Sequence, residues 1–208
     1  MRTRLAEVGA SLAGASTVVE YLKRSEVEQI LAHCALYAHE KVNNDHFKGR
    51  NPTREQCRQV VGTDTHGKSV TRAMQLGLEK HQVAMECLKW RLELLLPGQF
   101  SLEPRYRYNS QTKEKSLMSS EEVQQLLDSG RSAELTGTLV PDVVIHLGQP
   151  LSPKAIYEFK FPCPDTNPVR WRQYPEGHPH AGKTQQQLYK EALGVEPQPV
   201  MPLRGIIR

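Results

Sequence analysis

Two β-branched, apolar runs joined by a short turn-forming segment constrain the fold of this chain more than anything else in it. TLVPDVVIHL, residues 138–147, and AIYEFKF, residues 155–161, flank the Gly- and Pro-containing GQPLSPK. Runs of this composition bounded by turn residues read as strands, and a connection this short joins strands antiparallel. In such a hairpin the numbers of paired residues add to a constant. A turn centred near Pro150 sets that constant at 300, which puts Asp142 opposite Glu158. Directly opposed side chains share a face, as do residues two apart. Lys160 therefore joins the two carboxylates, while Tyr157 and Phe159 turn the other way into the packing.

The rest of the chain supplies helices around this pair. SEVEQILAHCALYAHEKVNN, residues 25–44, has apolar residues at helical spacing behind a Ser25 cap, and TREQCRQVV after Pro52 reads as a short second helix ending at Gly62. Residues 1–65 are expected to form a helical amino-terminal segment. The longest helical signal runs from Ser69 to Leu96, its apolar stripe passing through Met74, Leu78, His81, Met85, Leu88, Leu92 and Leu95, with Pro97-Gly98 as the stop. FSLEPRYRYN then reads as one strand, SSEEVQQLLDSG as a capped short helix, KTQQQLYKEAL as a helix closed by Gly194, and VMPLRGIIR as a last strand. Helix, three strands, helix and strand make residues 66–208 a mixed α/β domain.

Two opposed carboxylates about 5 Å apart repel one another unless a cation or a proton lies between them. Oxygen ligands of this kind, completed by water and a phosphate oxygen, describe a Mg²⁺ or Mn²⁺ site. The neighbouring ammonium of Lys160 suits the orientation of a water and the neutralisation of charge on a pentacoordinate phosphate. An isolated E-x-K on an exposed sheet face is commonplace; the wider pattern is more specific. Gly137-x4-Asp142, the 16-residue step to Glu158 and Glu158-Phe159-Lys160 within an apolar strand resemble the PD-(D/E)-x-K, or restriction-endonuclease-like, nuclease superfamily, as does the αβββαβ order. Gly77-x3-His81 resembles the first motif of its RecB-like members, and Gln185-x3-Tyr189 their Q-x3-Y motif.

The resemblance implies a restriction-endonuclease-like core and metal-dependent phosphodiester hydrolysis. Asp142, Glu158 and Lys160 would be catalytic, with the metal held by Asp142, Glu158, the Phe159 carbonyl and His81. Gln185 and Tyr189 would line the substrate site. His81 keeps two readings, ligand or core histidine on the apolar stripe, and Glu79 and Glu86 beside the stripe are fallback carboxylates. The loop PCPDTNPVRWRQYPEGHPHAG adds Arg170 and Arg172, with Lys183 just beyond it, as phosphate contacts, and interleaves Trp171 and Tyr174 as stacking rings. The chain has no helicase motif and no cysteine run for an iron–sulfur cluster. YEFKFPCP followed by YPEGHPHAGKTQQQLY resembles the toxin domains of bacterial polymorphic toxins. That implies a delivered effector acting on DNA in a target-cell cytoplasm, with a cognate immunity protein, acidic where it covers the basic cleft. A housekeeping recombination or repair nuclease and a non-catalytic binding module on the same fold are the rival readings.

Charge and cysteines add weaker bounds. With 27 basic and 23 acidic residues the net charge is +4, which tolerates a polyanion without demanding one. No apolar run approaches the ~18 residues that span a bilayer, and the first residues lack the apolar centre of a classical signal peptide. Cys34, Cys57, Cys87 and Cys163 form no C-x-x-C pair and are read as buried or free thiols. The alternative is a single disulfide such as Cys34–Cys57, which would imply an oxidising compartment.

Overall fold

The computed structural model describes residues 3–65 and 67–208, with side chains from Lys23 onward. Its centre is a five-stranded sheet made of β3 (Phe100–Leu102), β6 (Val143–Ile145), β7 (Ala155–Phe159), β8 (Gln198–Met201) and β9 (Gly205–Ile206), side by side in that order. Neighbouring strands run antiparallel except β7 and β8, which are parallel. A parallel pair needs a crossover. Here it is α5 (Gln185–Leu193), opened by a Thr184 capping box and closed by Gly194 in the left-handed conformation.

The sheet buries both faces. On one lie α1 (Thr3–Phe47) and α3 (Arg72–Leu95), whose Leu31, Ala38, Leu88 and Leu92 pack with Val143, Tyr157, Phe159 and Val200. On the other, Leu188 and Leu193 of α5 pack with Val144, Ile156, Tyr106 and Leu139. The alternation of Val143 and Val144, and of Tyr157 and Ile156, follows the two-residue period of a strand with both faces covered. The amino-terminal helix thus shares a single core with the sheet, and Tyr157 reaches it through a hydrogen bond from its hydroxyl to Glu28, 3.2 Å.

Several expectations are corrected. The stripe on α3 holds only from Met85 onward: Met74 and Leu78 are exposed, and the turns before it bury Leu76, Lys80 and Ala84 instead. The reason is α1, which lies along α3 and covers that side of it. The second helix, α2 (Arg54–Arg58), stops before the β-branched Val60-Val61, and those residues enter β1 (Val60–Thr63), paired with β2 (Ser69–Thr71) ahead of α3. FSLEPRYRYN is two strands: Glu103 takes a φ of 48° and Pro104 has no donor, so β3 ends there and β4 (Arg105–Tyr108) joins another sheet with β5 (Lys115–Met118). The turn between them is tied by the Asn109 side chain, which accepts from the backbone of Gln111 and Thr112. VMPLRGIIR likewise folds back on itself as β8 and β9. The short helix expected at residues 119–130 is present as α4 (Ser120–Asp128), capped by Ser119.

The cysteine reading is overturned as well. All four cysteines are paired, Cys34 with Cys87 between α1 and α3, and Cys57 with Cys163 between α2 and the segment after β7. Neither pair is the one considered from spacing, because α1 and α3 meet side by side and place Cys34 against Cys87.

Candidate active site

The β6–β7 ladder pairs Val143 with Tyr157, Val144 with Ile156 and Ile145 with Ala155, each adding to 300. One step further along, Asp142 meets Glu158: its backbone N–H donates to Glu158 Oε1 at 3.3 Å. Glu158 is only 2% exposed and Asp142 9%. The two Asp142 oxygens are held from different directions, Oδ2 by the Phe159 N–H at 2.7 Å and Oδ1 by His81 Nε2 at 3.1 Å. His81 thus reaches the strand pair from α3 as part of the site. The hydrogen bond to Asp142 raises its pKa despite burial, which acts to lower it.

The residue before Asp142 has its own consequence. Lys160 N–H donates to Val200 O in β8, so the Phe159 N–H, one residue back, points to the β6 side. In extended backbone the C=O of a residue points to the same side as its N–H. The β6–β7 ladder ends at the pair Val143 and Tyr157, and Pro141, two residues before Val143, has no N–H to donate. The Phe159 carbonyl therefore points to the β6 side, beyond the last ladder pair.

Lys160 completes the face. Its ammonium donates to Glu158 Oε2 at 3.4 Å and to Gln185 Oε1 at 2.9 Å. Gln185 lies on the first turn of α5, and its amide nitrogen donates to Glu158 Oε2 at 3.3 Å and meets the Tyr189 hydroxyl, one turn on, at 3.0 Å. Burial, then the charge of Asp142, lifts the Glu158 carboxyl well above the usual carboxylate range, against the pull of Lys160. Tyr189 is raised too, first by burial and then by the charge of Glu158.

Asp142, Glu158, Lys160, His81, Gln185 and Tyr189 are therefore linked in one connected network of contacts. The remaining named residues are placed otherwise. Arg170 and Arg172 are exposed on the loop after Lys160, whereas Lys183 is paired with Glu191, which also accepts from Lys113 and Tyr108. Glu79 bonds His46 and Gln75, and Glu86 bonds Gln82, so neither joins the cluster. Of the loop histidines, His178 stacks on Tyr174, and His180 meets Gly137 O at 2.8 Å. Gly137 is required there: its φ is +84°, and a Cβ would lie 3.0 Å from Pro179 Cγ. Sequence reasoning missed Glu103. Its charge acts on His81 and its N–H donates to Asp142 O at 2.9 Å. Only its position before Pro104, at a strand break, could have drawn notice.

Among the described residues, no three His, Cys, Asp or Glu side chains stand as a ready ligand set. The chemistry of the donors nevertheless fits a hard divalent cation: two buried carboxylates, one of them destabilised as an anion by burial and by the other, lie beside one ammonium and an imidazole, with the Phe159 carbonyl on the β6 side. Compared with known proteins, the chain matches no family model, no curated protein and no solved structure.

Proposed function

We propose that this chain is a divalent-metal-dependent nuclease of the PD-(D/E)-x-K type, with DNA as its substrate. The observation that carries the reading is the direct opposition of Asp142 and Glu158 on adjacent strands, with Lys160 on the same face and His81 on Asp142. Asp142, Glu158, the Phe159 carbonyl and His81 would hold Mg²⁺ or Mn²⁺, which when bound supplies Lewis-acid activation of water and phosphate. Lys160, oriented by Gln185, holds the attacking water and offsets negative charge on the phosphate. Gln185 and Tyr189 line the substrate side, and Arg170 and Arg172 give phosphate contacts.

The element order α3, β3, β6, β7, α5, β8 supports a restriction-endonuclease-like core. Two disulfides support passage through an oxidising compartment, and with it the reading as a delivered antibacterial effector countered by an immunity protein. Supercoiled plasmid incubated with Mg²⁺, with EDTA and with Glu158→Ala protein tests the chemistry. Nicking that needs both the metal and Glu158 is expected; nicking that survives loss of either refutes the assignment. Toxicity on cytoplasmic expression, relieved by Lys160→Ala, tests the effector reading.

A second reading has an observation of its own. Asp142 and Glu158 are already met by protein donors, as they would be in a module that binds nucleic acid without cutting it. Such a module would retain its binding in Glu158→Ala and show no cleavage with any divalent metal.

A further inference from the structure

The segment from Phe161 to Lys183, between the Lys160 strand and α5, is held at both ends. Near Lys160, Cys163 is bonded to Cys57 and Asp165 accepts from the Asn51 side chain at 2.7 Å. At the other end Gln173 bridges to Thr184, Tyr174 exchanges backbone hydrogen bonds with residues 182 and 183, and His180 docks on Gly137. Between these anchors the Trp171 ring lies against the site, its centroid 4.4 Å from Lys160 Nζ. Trp171 is half-buried and its neighbours Arg170 and Arg172 are exposed. The segment's other large rings are engaged, since Phe161 stacks on Phe159 at 5.9 Å and Tyr174 stacks almost parallel on His178 at 4.3 Å.

We propose that Trp171 is a stacking platform for an unpaired base next to the scissile phosphate, so that the site takes single-stranded or frayed nucleic acid in preference to intact duplex. The inference rests on the nuclease reading for one point, that the phosphate sits at Lys160. An indole this near the ammonium reaches the nucleotide attached to that phosphate. Bases in a duplex follow one another at about 3.4 Å, which leaves no room for a ring between them, so a base on Trp171 has left its stack. Base–aromatic stacking tolerates any sequence. Arg170 and Arg172, on either side, suit the flanking phosphates, which fix register without reading bases.

The chain has two tryptophans, and the other, Trp90, is 76% exposed on α3. In a Trp90→Phe background the fluorescence therefore reports Trp171 alone. In EDTA, titration with a short oligothymidylate is expected to quench it to saturation. By fluorescence anisotropy of an end-labelled strand, which needs no tryptophan, Trp171→Ala should bind the oligothymidylate roughly tenfold more weakly and a labelled blunt duplex less than about twofold more weakly, while Trp171→Phe, which keeps a ring, holds most of the affinity. Equal loss on both ligands, no loss on either, or no binding by the parent protein overturns the platform. Single-strand cleavage in Mg²⁺ that is unchanged in Trp171→Ala overturns it and leaves the nuclease standing. Trp171-dependent binding with no cleavage in Mg²⁺ or Mn²⁺ overturns the nuclease and leaves the platform.

Discussion

Lys80 offers a quantitative test of the packing beneath the site. It lies on α3, 2% exposed, with its ammonium 3.4 Å from His39 Nδ1, inside a polar cluster where His39 also bonds Asn43 and Asn51. Burial lowers its pKa from 10.5 to about 8, even against the favourable charges of Asp165 and Glu79. The unfolded chain holds this proton up to about pH 10.5, whereas the folded chain releases it near 8. Between these values unfolding takes up a proton, so stability rises with pH across the window, and below it the full penalty applies. The penalty is roughly 3 kcal/mol. Lys80→Met keeps the apolar stem and removes the charge. Less about 1 kcal/mol for the lost hydrogen bond, the variant should be stabilised by roughly 2 kcal/mol, a rise in Tm of about 4–8 °C for a chain of this size. Thermal melts of both proteins at about pH 6.5 and about pH 10 decide it, since the gain should shrink toward zero at the higher pH as wild-type Lys80 loses its charge. Destabilisation at the lower pH would refute the argument, and so would a gain equal at both.

Two further outcomes follow from the geometry around β7. Pro141→Ala adds an N–H just before Asp142, beside the strand end to which the Phe159 carbonyl points; if that carbonyl serves the metal and the new donor engages it, the Mg²⁺ concentration giving half-maximal cleavage should rise several-fold, on the order of one neutral hydrogen bond, and an unchanged metal titration contradicts the role. Replacing Cys57 and Cys163 by serine, or Cys34 and Cys87, should cost roughly 2–4 kcal/mol of stability in either case. Only the first pair, which tethers the segment after Lys160, should also weaken single-strand binding when both proteins are assayed well below their melting temperatures.

The paired carboxylates were legible because strand parity and hairpin register are rules of backbone geometry that a short turn does not blur. Asp142, Glu158 and Lys160 could be placed on one face from residue numbers alone. The two-residue alternation of Tyr157 and Phe159 was readable for the same reason. What failed depended on partners remote in sequence. Met74 and Leu78 look like core, and Lys80 looks like surface, until α1 is laid along α3. The disulfides followed the same logic, since spacing cannot say which helices touch. The strands at 60–63 and 115–118 are only four residues each, VVGT and KSLM, too short to carry an alternating apolar signal.

The origin of the six clustered residues determines what must be intact for the site to exist. Asp142, Glu158 and Lys160 come from adjacent strands whose register is locked by burial on both faces, since a one-residue slip would turn Val144 and Ile156 to the wrong layer. Their alignment is as robust as the core. His81 and Gln185 instead arrive from helices on opposite faces, His81 through one contact with Asp142 at 3.1 Å and Gln185 through contacts with Lys160 at 2.9 Å and Glu158 at 3.3 Å. Those contacts depend on how α3 and α5 dock, and a movement of one ångström would break either. Loosening a helix should therefore misorient Asp142 or Lys160 before it displaces either strand. Core variants on α3 and α5, such as Leu88→Ala or Leu188→Ala, are thus expected to lose activity at temperatures where the sheet is still folded.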